Sequence, residues 1–139
     1  MRRLAAPLFL LLALSLLSGC GSTTSPADTF TDRLTLGTGA SGFTITGETT
    51  TFTRTIASVT IYWRLESSAD MAGSPVKIRV DKLTGAAYAP FDSSTYANPQ
   101  SYGHIMLSTY LWNEAGTFRA VGILTATGRT VATKEFTVS

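Results

Sequence analysis

From Thr29 to the C-terminus, the chain consists largely of short segments in which apolar and polar residues alternate. In residues 58–65, for example, one set of alternate positions carries Val59, Ile61, Trp63 and Leu65. A period of two is that of a β-strand with one buried face, because successive side chains point to opposite sides of the sheet. No window shows a helical period, so the pattern predicts an all-β fold.

Eight such strands are predicted, each rich in β-branched or aromatic residues and bounded by turn residues. They are residues 29–36, 42–47, 51–55, 58–65, 76–83, 104–112, 117–126 and 130–138. Val121 and Ile123 make both faces of 117–126 apolar, which indicates a central strand. Residues 113–116 and 126–129 are short Gly-containing connections, typical of antiparallel neighbours. The prediction is an antiparallel β-sandwich of about seven or eight strands over residues 29–139.

The last 25 residues, AGTFRAVGILTATGRTVATKEFTVS, resemble the final hairpin of bacterial immunoglobulin-like domains. The resemblance implies an immunoglobulin-like sandwich, with Trp63 as the candidate for the tryptophan that packs in its core. Phe118 stands where many such domains have a tyrosine, so the hydroxyl of a tyrosine corner is missing, and there is no cysteine pair. This architecture carries many unrelated functions, so it implies a fold and no particular activity.

Residues 1–19 are typical of an export signal. Arg2 and Arg3 precede an apolar run over residues 7–17, and Ser18 and Gly19 are small. As a helix, that run would be roughly 16 Å long, about half of what is needed to cross a bilayer. The segment is therefore predicted to be a cleaved signal peptide and not a membrane span.

The end of this segment, Leu17-Ser18-Gly19-Cys20, resembles the lipobox of bacterial lipoproteins, and Cys20 is the only cysteine of the chain. The resemblance implies that the Cys20 sulfur carries a diacylglyceryl group, that cleavage occurs just before it, and that acyl chains anchor the protein in the cell envelope. Gly21 in place of Asp resembles the pattern that sends lipoproteins to the outer membrane of two-membrane bacteria. Residues 20–28 are then the lipidated cysteine and a short flexible tether.

The net charge of the chain after residue 19 limits the classes of partner that we expect. After residue 19 the chain has nine basic and nine acidic residues, so the mature form has no net charge. Nucleic acid and anionic headgroups attract proteins through basic surfaces, and no basic stripe is present. Expected partners are the membrane, through the acyl chains on Cys20, and an envelope protein, peptide or glycan of unknown identity.

Motifs that could carry chemistry are incomplete. GTGASG at residues 37–42 has the spacing of a dinucleotide-binding loop, but no helix is predicted after it, so we interpret it as a turn between strands and expect no nucleotide. His104, the only histidine, has no neighbouring residues that suggest a catalytic triad or a zinc site, and the carboxylates are scattered singly. No cofactor and no metal are expected.

The best candidate contact surface is the segment 84–103, which is long for a connection in a small sandwich. It carries Tyr88, Phe91, Tyr96 and Tyr102. Tyrosines offer a flat apolar face and a hydroxyl, and both suit protein or sugar surfaces. The alternative is that these rings fold back to cap an open end of the sandwich, with an extra short strand.

The expected function is that of a non-catalytic binding or structural module. Two alternatives remain open. One is a small envelope hydrolase assembled from several strands, with His104 as its base. The other is a domain that presents loops to a protease in the manner of an inhibitor.

Overall fold

In the computed structural model, the described residues are 29–71, 74–96 and 103–139. They form nine strands: β1 Arg33–Ser41, β2 Thr44–Glu48, β3 Thr51–Phe52, β4 Val59–Glu66, β5 Val76–Thr84, β6 Ala87–Tyr96, β7 Ile105–Trp112, β8 Gly116–Leu124 and β9 Arg129–Val138. The predicted signal peptide, Cys20 and the tether lie outside the described residues.

The strands form two sheets, which confirms the predicted β-sandwich. The first has the order β2-β1-β4-β7, and the second has the order β3-β9-β8-β5-β6. Neighbours are antiparallel, except that β3 runs parallel to β9. As its two apolar faces predict, β8 is the central strand of the second sheet, and Val121 on its outer face is buried.

The order of the strands is that of an immunoglobulin-like sandwich. In the second sheet, β9-β8-β5-β6 corresponds to G-F-C-C′, and in the first, β1-β4-β7 corresponds to A-B-E. Trp63 is buried, as expected, but it lies on β4, which takes the place of strand B, whereas immunoglobulin domains carry their core tryptophan on strand C.

The core lies between the sheets and is rich in aromatic rings. On β4 the alternate residues Ile61, Trp63 and Leu65 are buried, as the period of two predicts. The Trp112 ring meets the Phe118 ring edge-on with centroids 4.8 Å apart, and the Phe118 and Phe136 centroids are 5.3 Å apart. Contacts at such distances add to the stabilisation from burial alone.

The interpretation of residues 37–42 as a turn is wrong for most of the motif. β1 continues through Gly37 and Gly39 to Ser41, and the turn is confined to Gly42 and Phe43. A Cβ on Gly37 would lie 2.3 Å from Cγ2 of Ile45 on the neighbouring strand β2. This glycine is therefore required by close approach within a sheet and not by a turn.

The described residues 84–96 of the segment 84–103 do not form a loop either. A turn at Gly85, where φ is +64°, leads directly into β6, which pairs with β5 along its whole length. Residues 113–115, in contrast, do not join antiparallel neighbours, because β7 and β8 belong to different sheets. The connection at 126–128 joins the antiparallel pair β8 and β9, as predicted.

Candidate functional site

The three described members of the tyrosine-rich segment lie on β6, the edge strand of the second sheet. They do not form one surface, because neighbouring positions of a strand face opposite sides of the sheet. Tyr88 is on the outer face, whereas Phe91 and Tyr96 lie along the opening between the two sheets. Tyr102 lies outside the described residues.

Tyr88 belongs to a charged cluster on the outer face of the second sheet. The guanidinium carbon of Arg119 lies 4.5 Å from the centroid of the Tyr88 ring. Desolvation and the hydrogen bond with Glu135 raise the pKa of Tyr88. Three strands, β6, β8 and β9, therefore hold this ring in place.

Asp81 is the centre of the same cluster and is almost completely buried. Arg119 donates to one of its carboxylate oxygens over 2.8 Å, and Arg79 donates to the same oxygen over 3.1 Å. Burial opposes ionisation of Asp81, but the hydrogen bonds from the two arginines outweigh it and hold its pKa below the usual value. The cluster is an ion pair network that joins β5 and β8.

Phe91 is the extra residue of a β-bulge, because Val80 pairs with Asp92 while Asp81 pairs with Pro90. Its ring is 45% exposed and packs against Trp112 and Phe118, with centroids 5.7 and 5.6 Å away. Phe91 thus partly closes the side of the sandwich, whereas the alternative expectation placed these rings at an open end, and it still presents nearly half of its surface to solvent.

The opening between β6 and β7 is closed by a polar contact. The Tyr110 hydroxyl donates to the Asp92 carboxylate, which joins the edge strands of the two sheets. This hydrogen bond, together with desolvation, raises the pKa of Tyr110 to about 12. Beside it is a cleft of about 10 Å³, lined by Trp63, Tyr96 and neighbouring residues, with room for about one water molecule.

A larger concave surface lies on the outer side of the same edge. We call it the β5–β6 groove: it has a volume of about 350 Å³ and is lined by Lys77, Arg79, Pro90, Phe91, Asp92 and Ser93. The side chains on its outer face are those of Lys77, Arg79, Pro90 and Ser93, whereas the Phe91 ring and the Asp92 carboxylate are directed to the opening between the sheets. Sequence analysis identified Phe91 but not Lys77 and Arg79, because the pairing of β5 with β6 was not predicted.

His104 makes contacts that position the start of the domain. Its Nδ1 lies 2.9 Å from the carbonyl oxygen of Ser67, and because a carbonyl only accepts, Nδ1 carries the proton. Its ring stacks on Phe30 with centroids 4.4 Å apart. Within residues 29–71, 74–96 and 103–139, no three His, Cys, Asp or Glu side chains are grouped so that they could hold a metal ion.

No protein-family model matches the chain, and no curated protein matches it. Within the part of the chain that the structure describes, no helix is long and apolar enough to cross a membrane.

Proposed function

We propose that this chain is a bacterial lipoprotein, held in the cell envelope by acyl chains on Cys20, whose β-sandwich acts as a non-catalytic binding or structural module. The observation that carries the proposal is the motif Leu17-Ser18-Gly19-Cys20. It follows a positively charged start and an apolar run and contains the only cysteine. Gly21 supports the outer membrane as the address in a two-membrane bacterium.

The attachment of the first described residues supports a defined orientation. The Thr31 N–H donates to the Glu66 carboxylate over 2.9 Å, and the Ser68 N–H donates to Asp32 over 2.8 Å. The Ser68 N–H is the main reason that the pKa of Asp32 is lowered, so Asp32 stays ionised and keeps this bond at neutral pH. Eight residues lie between Cys20 and Thr29, and the nine Cα–Cα steps of such a chain span at most about 32 Å. An anchor on Cys20 therefore keeps this end of the sandwich towards the bilayer.

The β5–β6 groove is the surface that we assign to a partner. It lies along β6, the edge strand of the second sheet, and includes the exposed Ser93. Its cationic side chains, the Ser93 hydroxyl and the Pro90 ring suit contacts with an envelope protein, a peptide or a glycan.

The anchor is tested with radiolabelled fatty acid and detergent phase partition of the full chain. Wild type should incorporate label and enter the detergent phase, and Cys20→Ser should lose the label. The matched control is the double variant Cys20→Ser/Ser22→Cys, which keeps one cysteine but moves it out of the motif, and it should also stay unlabelled. Label on Cys20→Ser, or an unlabelled wild type, contradicts the anchor.

The groove is tested by placing a photo-crosslinking amino acid at Ser93 in the full chain, in intact cells. The control carries it at Thr133, which is equally exposed on the outer face of β9. We expect adducts from Ser93 that are absent from Thr133. Equal adducts at both positions, or none at Ser93, would show that the groove is not the contact surface.

A further inference from the structure

The two sheets have four edge strands, and three of them are protected. β3 has two residues, β2 has five and ends in Glu48, and β6 contains Pro90 and the bulge at Phe91. Short length, charge, proline and bulges are the usual means of preventing another strand from pairing with an edge. β7 has none of them: it is eight residues long, with the sequence IMLSTYLW.

Every second residue of β7 directs its backbone N–H and C=O groups away from β4, the neighbouring strand. The Ser67 N–H donates to the His104 carbonyl oxygen over 3.0 Å, which places His104 among the residues that hydrogen-bond towards β4. This direction alternates along an antiparallel ladder. The groups directed to the open edge therefore belong to Ile105, Leu107, Thr109 and Leu111, and among the described strands only β4 pairs with β7.

The same four residues place their side chains on the outer face of the first sheet, because Met106 and Trp112, on the alternate set, are buried in the core. Three of the four are apolar, and Leu111 is 65% exposed. When a strand from another chain pairs with a sheet edge, it satisfies the unpaired backbone groups and covers the apolar side chains beside them. β7 offers both.

We propose that β7 pairs with β7 of a second copy of this chain, antiparallel, about a two-fold axis at Ser108. In this register Ile105 of one copy lies opposite Leu111 of the other, and Leu107 lies opposite Thr109. Each of the four open-edge residues then meets another of the four. The two four-stranded sheets join into one continuous sheet.

A second copy fits this edge because the strand is complementary to itself. Self-pairing through a strand that carries Lys, Arg, Asp or Glu places like charges near each other, which is destabilising. β7 has no such residue, and its apolar ends meet each other in the two-fold arrangement. This pairing is independent of the anchor on Cys20 and of the β5–β6 groove.

Disulfide trapping tests the pairing and its register. The variants are made in the full chain with Cys20→Ser, so that the introduced thiol is the only one. Across the axis, the two Ser108 positions form a non-hydrogen-bonded pair with Cα atoms about 4.5 Å apart, within the range that a disulfide spans. The two Thr109 positions would be about 8 to 9 Å apart, beyond that range.

Under mild oxidation, Ser108→Cys should give a covalent dimer, whereas Thr109→Cys should give little. The matched control is Thr133→Cys, an exposed strand residue of the second sheet, which should stay monomeric. Equal cross-linking at all three positions, or none at Ser108→Cys, overturns the proposal.

A second measurement uses the mass of the full chain in detergent at a series of protein concentrations. The Thr109 N–H points to the open edge, so Thr109→Pro removes no hydrogen bond to β4 but removes two across the axis. We expect it to raise the Kd of the dimer at least roughly tenfold. A monomeric wild type at every concentration overturns the proposal. If Thr109→Pro fails to fold, the disulfide cross-linking of Ser108→Cys decides whether β7 pairs with a second copy.

Discussion

The turn between β3 and β4 contains a side chain in an unfavourable conformation. Ile56 has a φ of +67° and is the only residue other than glycine with a positive φ among the described residues. The Ala57 N–H donates to the Thr55 carbonyl oxygen over 2.9 Å, which closes a γ-turn around Ile56. This form of γ-turn is rare and strained, and a β-branched residue is especially unfavourable there. We predict that Ile56→Gly stabilises the protein.

The magnitude follows from two opposing effects. A strained backbone conformation of this kind costs about 1–3 kcal/mol, which glycine avoids. Glycine in turn loses about 0.5–1 kcal/mol through its greater freedom in the unfolded chain. No burial is lost, because the Ile56 side chain is fully exposed. The net gain is about 0–2 kcal/mol, and each kcal/mol raises the Tm of a domain of this size by about 4 °C.

The assay is thermal and urea unfolding of the full chain, with Ala57→Gly as the matched control. Ala57 is the next residue, is exposed, and does not have a positive φ. Glycine there should lower the free energy of unfolding by about 0.5–1 kcal/mol. Equal destabilisation by glycine at both positions would refute the argument from strain, because it would mean that Ile56 does not have a left-handed backbone.

Three further predictions concern the core, the hydrogen bond between Tyr110 and Asp92, and the ion pairs of Asp81. Gly122→Ala should destabilise the domain by about 1–3 kcal/mol in urea unfolding, because a Cβ there would lie 2.6 Å from Cδ1 of the buried Leu65. Tyr110→Phe should cost about 1–2 kcal/mol at neutral pH. Because the pKa of Tyr110 is raised from 10.0 to about 12, its bond to Asp92 stabilises the fold below pH 10, and this contribution should disappear between pH 10 and 12 in wild type only. Asp81→Asn should cost about 1–3 kcal/mol at pH 7. Because the pKa of Asp81 is lowered from 3.8, its ion pairs add stability above that pH, so the difference from wild type should shrink in acid titrations as the pH falls through the lowered pKa.

Strands with an apolar inner face could be predicted from the sequence, and those without one could not. In β4 the buried residues are apolar, so the alternation gives the boundaries to within a residue. In β6 the residues that face the inside include Asp92 and Ser94, whose partners lie on other strands. The apolar alternation is therefore absent, and Pro90 further hides the strand, since proline normally interrupts a sheet except at an edge.

The arrangement of the candidate site could likewise be predicted only in part from the sequence. The aromatic residues of 84–103 were recognised as unusual, but which face each occupies depends on the bulge at Phe91, which local sequence does not encode in a recognisable way. The position of Tyr88 depends on Arg119 and Glu135, which are far along the chain and become neighbours only through the pairing of β5, β8 and β9. Long-range pairing, and not residue type, decides which of these rings is accessible.

Most of the basic side chains after residue 19 are paired with carboxylates in the structure. Six of the nine basic residues after residue 19 form ion pairs among the described residues: Arg33, Arg64, Arg79, Lys82, Arg119 and Arg129.

In the β5–β6 groove, Arg79 is engaged by Asp81, which leaves Lys77 as the cation of that groove without an ion pair in the described part of the chain. Asp92 also lines the groove, but its carboxylate accepts a hydrogen bond from Tyr110 at the opening between the sheets. A polyanion gains affinity from several cations acting together, so it would gain little here. If the groove is the contact surface that we propose, we therefore expect a largely uncharged partner there, such as a glycan or a neutral peptide segment.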